Sequence, residues 1–256
     1  MKVMFDSNTW RIVSTPSKFP NEKSINDFMK IREAIITGKI EPYISETVFT
    51  IEAIKKIQRK ETISKRKPRV KTKTTEKDGG VAISITIGPS ESSTFDLNPI
   101  LKSHFDDAIK LGFKIVRLPR IGSFTNEEVE NSRYRLPTSA LEAYHTTVFE
   151  IVNQIESHNA GFARLKNIAA TYGTGLTDGI SKAPVSEEKN IIKAVAEWAD
   201  GDSVAICIAL DCDCFCTRDK AKKGGVDSVL STPNIAWLKK DHGFEVISPE
   251  DLAKLV

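Results

Sequence analysis

Met1-Lys-Val-Met-Phe5-Asp6-Ser7-Asn8 opens the chain with an apolar run too short for a helix, halted by a carboxylate, a hydroxyl and an amide. Short continuous apolar runs read as strands covered on both faces, the mark of a parallel sheet. The same construction returns near the other end in Cys212-Asp-Cys-Phe-Cys216-Thr217-Arg218-Asp219. Open parallel sheets receive ligands at the carboxyl ends of their strands, so Asp6 and Asp219 are placed where a crevice is expected. Two carboxylates there repel unless a proton or cation intervenes. A hard divalent ion such as Mg²⁺ takes such oxygen ligands and can hold a phosphodiester and a water together.

Working outward from these two stretches, helical and strand patterns alternate. A helix is predicted over 25–36, with Ile25, Phe28, Met29, Ile31, Ile35 and Ile36 as its stripe and Gly38 closing it. A strand follows at 43–44 and a helix over 47–57. Further on come a helix over 100–111, a strand over 113–118, a long helix over 139–170 and a glycine-bearing loop over 173–184. That loop lacks the Gly-Lys-Ser/Thr ending of a phosphate loop. A helix over 191–198 is followed by a second one opened by Asp200-Gly201-Asp202. Strands at 214–216 and 244–247, with helices near 233–240 and after 248, complete the pattern. This alternation predicts an α/β fold, a mainly parallel central sheet with helices on both faces, in one domain spanning 1–256.

Charge is unevenly spread. Residues 55–77 hold 11 Lys and Arg against two Glu, a net +9 in a chain whose total is +3, so the remainder carries −6. The stretch is too charged to bury and is followed by the alternating Val81-Ala-Ile-Ser-Ile-Thr-Ile87. Residues 59–98 thus read as an insertion, a basic arm with a β-hairpin. Lys65, Arg66, Lys67, Arg69, Lys71 and Lys73 are its candidate contacts to a phosphate backbone. Other classes are disfavoured. The four cysteines crowd between 207 and 216 instead of forming a disulfide framework, and the four histidines show no zinc-hydrolase spacing. Asp6 interrupts the apolar N-terminus and no run could span a bilayer, so a soluble cytoplasmic protein without a membrane partner is expected.

Four more acids have positions worth weighing. Asp202 is expected at a helix entrance, on the same side as Ala205, Ile206, Ala209 and Leu210, aimed at the strand ends. Asp200 is the alternate there. Glu52 sits among Val48, Ile51 and Ile54 on the apolar face of the helix over 47–57, an unusual place for a carboxylate without a partner. Glu46, at that helix's entrance, competes with it.

Phe5-Asp6-Ser7-Asn8, Tyr43-Ile-Ser…Ile51-Glu52-Ala53, Asp202-Ser-Val-Ala205-Ile-Cys-Ile-Ala209 and Phe215-Cys-Thr217-Arg218-Asp219, in this order, resemble the PIN-domain family of metal-dependent ribonucleases. The resemblance covers roughly 1–58 and 100–256; the basic arm and hairpin depart from it. It implies a three-layer α/β/α fold in which Asp6, Glu52, Asp202 and Asp219 hold Mg²⁺ or Mn²⁺ and catalyse phosphodiester hydrolysis. Ser7, Asn8 and Thr217 would support them. RNA is the implied substrate, with DNA and a structure-specific DNA nuclease as the alternative. A toxin or defence role with an antitoxin or other protein partner, a homodimer, and a catalytically silent scaffold acting through the arm also stand open.

Overall fold

The computed structural model describes residues 1–65, 69–77, 80–88, 97–120, 126–219 and 228–256, with backbone alone at 69, 77, 87 and 88. Strand β1 (Lys2–Phe5) is its centre. β2 (Glu41–Ser45) and then β5 (Lys114–Val116) lie on one side of β1, while β6 (Cys214–Cys216) and β7 (Val246–Ile247) lie on the other. Every neighbouring pair in this five-stranded sheet is parallel. Because the strand order reverses at β1, its carboxyl end, beside that of β6, is the topological switch point. β3 (Arg69–Lys77) and β4 (Gly80–Gly88) form a separate antiparallel hairpin, within the insertion expected over 59–98.

The strands owe their burial on both faces to alternation. Val3, Phe5, Ile44, Ile115, Cys214 and Cys216 enter one core with α1 (Trp10–Ser14), α2 (Ile25–Ile36), α5 (Pro99–Leu111) and α12 (Pro249–Leu255). Met4, Tyr43, Val116 and Phe215 enter the other with α7 (Thr138–Ser157), α10 (Glu188–Ala209) and α11 (Thr232–His242). The result is a helix-sheet-helix sandwich, in accord with the predicted α/β class. A third core joins α4 (Arg59–Ser64), α8 (Ala163–Tyr172), α9 (Leu176–Lys182) and the first half of α10 around Trp198. No described helix is long and apolar enough to cross a membrane.

Several elements differ from the pattern. The helix over 47–57 shrinks to α3 (Thr47–Thr50), after which residues 51–53 form a turn. The Arg59 guanidinium donates to the carbonyls of Glu52 at 3.1 Å and Ile54 at 3.3 Å, satisfying oxygens that a longer helix would have paired. The helix over 139–170 is divided between α7 and α8, where Asn159 and Gly161 take positive φ. The glycine-bearing loop contains α9, packed on α8 so closely that a methyl at Gly179 would strike the Ala169 carbonyl. α6 (Glu127–Asn131) was not evident from the sequence pattern; the Asn126 side chain caps it.

The most consequential difference is in α10, which runs unbroken through Gly201. This glycine is a packing device: a Cβ there would come within 2.8 Å of the Gly161 Cα. Gly201→Ala is therefore expected to destabilise the protein by about 1–3 kcal/mol, through overpacking of two backbones that cannot easily part. Urea denaturation checks this. An unchanged midpoint would mean that the α7–α8 connection yields freely.

Candidate active site

The site is assembled at the switch point by the register of β1 on β6. Phe5 pairs with Cys216, so Asp6 and Thr217 emerge side by side, and the Asp6 amide donates to the Cys216 carbonyl at 3.0 Å. The Thr217 hydroxyl donates to Asp6 Oδ2 at 2.5 Å, and Asn8 Nδ2 donates to the same oxygen at 2.8 Å. The Ser7 amide donates to Asp6 Oδ1 at 2.6 Å. Asn8 also fixes the opposite loop, its Oδ1 accepting from the Arg218 amide at 3.0 Å. The Asp219 amide donates to Thr217 Oγ1 at 3.0 Å. Ser7, Asn8 and Thr217 thus orient one buried carboxylate, and Thr217 holds an exposed one, Asp219, beside it.

Glu52 approaches from the turn after α3 and lines, together with Ser7, the cleft beside the strand end. Asp200 approaches from α10. The electrostatics tie these acids into one neighbourhood. Burial pushes Asp6 up to about 7, opposed by Thr217 and reinforced by the charges of Glu52 and Asp219. Burial also raises Glu52, with Asp219 adding to the effect and Arg59 and Arg11 opposing it. Asp200 is held well above the usual carboxylate range by burial and then by Asp6, Glu52, Glu197 and Asp219. Asp6, Glu52 and Asp200 are thus each harder to ionise beside their charged neighbours, a condition that a bound cation relieves.

Asp202 does not join them, a correction to the expected arrangement. Its carboxylate is 1% exposed and faces the other way, in an ion pair with Arg120. It accepts from Arg120 Nε and from Trp198 Nε1, each at 3.1 Å. The cause is the continuity of α10: residues two apart on a helix point about 200° from each other, so Asp200 and Asp202 cannot both face the strand ends. Glu46 is likewise turned away, held by Arg133 through bonds of 2.6 and 2.7 Å. Asp6 and Asp219 stand beyond the ends of β1 and β6, and the charges of Glu52 and Asp200 belong to the same end of the sheet.

Of the cations near this end of the sheet, Lys18 and Arg218 pair with Asp107 at 2.7 Å and Glu22 at 2.9 Å. Arg11 remains at the site. With Ser7, Glu52, Lys55, Lys56 and Arg59 it lines a cleft of about 450 Å³ that opens beside the acids. Arg59 was hidden from the sequence reading because it belongs to the basic run and so read as part of the arm. It is 4% exposed, feels the charges of Glu52 and Asp200, and ties the Glu52 turn to α10 through the Ile192 carbonyl at 2.8 Å. In the arm, Lys65 pairs with Glu61, Lys71 and Lys73 are exposed on β3, Arg69 is described by its backbone, and Arg66 and Lys67 lie outside the described residues.

No family model, curated protein or solved structure matches this chain. The residues themselves therefore carry the functional argument. Among the described residues no three His, Cys, Asp or Glu side chains are grouped closely enough to hold a metal ion as they stand. The donor chemistry of Asp6, Glu52, Asp200 and Asp219 nevertheless fits a hard divalent cation, being all carboxylate oxygen at one end of the sheet, with Asp6 buried, Glu52 and Asp200 half-buried and Asp219 exposed.

Proposed function

We propose that this chain is a Mg²⁺- or Mn²⁺-dependent endoribonuclease of PIN type. The observation that carries the reading is that Asp6 and Asp219 follow the ends of neighbouring strands at the switch point, with Glu52 and Asp219 raising Asp6 and all three raising Asp200. These four would hold the ion. Bound there, a divalent cation lowers the pKa of a water and offsets the charge that builds on the phosphate. Thr217, Asn8 and the Ser7 amide fix the rotation of Asp6, so this carboxylate meets its ligand with little reorganisation. Arg11, Lys55 and Lys56 on the cleft wall supply positive charge for the flanking phosphates.

Incubation of purified protein with end-labelled single-stranded RNA and DNA, in Mg²⁺, Mn²⁺ or EDTA, tests this. RNA cleavage with either ion and none in EDTA is expected. Cleavage of DNA alone would transfer the reading to a DNA nuclease, and none under any condition would leave the scaffold.

The arm should contribute affinity more than chemistry. Replacing Lys65, Arg66, Lys67, Arg69, Lys71 and Lys73 with neutral residues is expected to raise KM and flatten the dependence of binding on salt, because fewer counterions are released. Single-turnover cleavage at saturating RNA should change much less. An unaltered salt slope would remove the arm from substrate binding.

A further inference from the structure

β3 and β4 make a ribbon of nine residue pairs on which, among the described residues, no other element packs broadly. The register sets Thr72 opposite Ile85, Thr74 opposite Ile83 and Glu76 opposite Val81. Directly opposed residues share a face, so Val70, Thr72, Thr74, Val81, Ile83 and Ile85 lie on one side. Lys71, Lys73, Ser84 and Thr86 lie on the other. The first side is uncharged apart from Glu76 near the tip, yet Val81 and Ile83 are 65% exposed, Ile85 63% and Val70 58%. That is an apolar patch on the order of 400 Å², a size that marks an interaction surface. A two-stranded ribbon is also marginal in water unless its apolar face is covered.

We propose that a second copy of the chain covers it, the two hairpins stacking apolar face to apolar face. The face is complementary to itself. β4 presents a row of large β-branched side chains and β3 a row of threonines, so a two-fold axis along the strands lays the isoleucine row of each copy over the threonine row of the other. Two such faces, threonines included, bury on the order of 1,000 Å², the threshold that a biological interface reaches. Lys71 and Lys73 of both copies then point outward on opposite sides of the sandwich, where like charges are hydrated and well separated. The rival mode, the +9 arm of one copy on the −6 remainder of another, would depend on charge and not on this face.

Sedimentation velocity on the full chain at about 0.15 M and about 1 M NaCl separates the two, since salt screens charge pairing and leaves apolar burial intact. A dimer at both salts is expected. Ile83→Thr with Ile85→Thr, which keeps strand propensity, should weaken it about 100-fold or more, while Lys71→Thr with Lys73→Thr leaves it dimeric. A monomer, a dimer lost at high salt, or a dimer indifferent to the isoleucine changes would overturn the proposal. Cross-linking provides a readout that does not depend on how the double variant folds: mixed Thr74→Cys and Ile83→Cys chains should join on mild oxidation far more than either alone. Equal cross-linking in the mixture and in the separate chains counts against the stacked arrangement.

Discussion

Asp200→Asn should reduce metal-dependent RNA cleavage by about 10²–10⁴-fold, whereas Asp202→Asn, two residues along the same helix, should leave cleavage by the folded protein nearly intact. The carboxylate of Asp200 lies with Asp6, Glu52 and Asp219, so its loss removes one oxygen donor and one charge from the proposed centre. Asp202 has a different occupation. Its substitution leaves the Arg120 guanidinium facing a neutral amide inside the protein, and breaking a buried pair from one side costs about 3–5 kcal/mol. Activity should thus be lost in one variant and stability in the other. Single-turnover cleavage and urea denaturation of both, at a temperature where each is folded, measure the two effects. If Asp202→Asn abolished cleavage without loss of stability, the roles of the two aspartates would have to be exchanged.

Asp6→Asn is expected to abolish cleavage and, in metal-free protein above neutral pH, to raise Tm. The sign follows from the raised acid. Asp6 ionises near 3.8 in the unfolded chain and at about 7 in the fold, so the folded state binds its proton more tightly. Its contribution favours folding fully below pH 3.8, shrinks as pH rises through that interval, and is gone above about 7. Metal-free wild type should therefore lose stability between about pH 4 and 7 relative to Asp6→Asn, whose amide does not titrate. Because an ionised neighbour makes the next acid harder to ionise, coupling to Glu52 and Asp200 spreads the loss over successive steps. Parallel pH profiles for the two proteins in EDTA would contradict a buried, uncompensated Asp6.

Much of the fold could be read from local pattern. β1 and β6 were evident because an apolar run between polar ends has few other meanings, and α2 because its stripe and its closing Gly38 agree. The errors arose where distant contacts overrule local signals. Gly201 looked like the gap before a helix; its actual partner is Gly161, forty positions earlier in the chain, and no local window contains that contact. That single misplacement put Asp202, which pairs with Arg120, on the side of α10 expected to face the strand ends. The shortened α3 has the same origin, since the carbonyls that would have continued it are taken by Arg59. The strand-end acids escaped this difficulty: their placement depends on sheet register, which the two short apolar runs fix between them.

The most direct measurement of the central claim is the thermal midpoint of the purified protein at pH 7.5 with and without Mn²⁺. An ion that binds only the folded acids stabilises the fold in proportion to the logarithm of its concentration over its dissociation constant. Wild type and Asp202→Asn should each gain several degrees from Mn²⁺, reversed by EDTA, while Asp6→Asn and Asp200→Asn gain little. A wild-type midpoint indifferent to Mn²⁺, or an equal gain in all four proteins, would contradict a metal centre formed by Asp6, Glu52, Asp200 and Asp219.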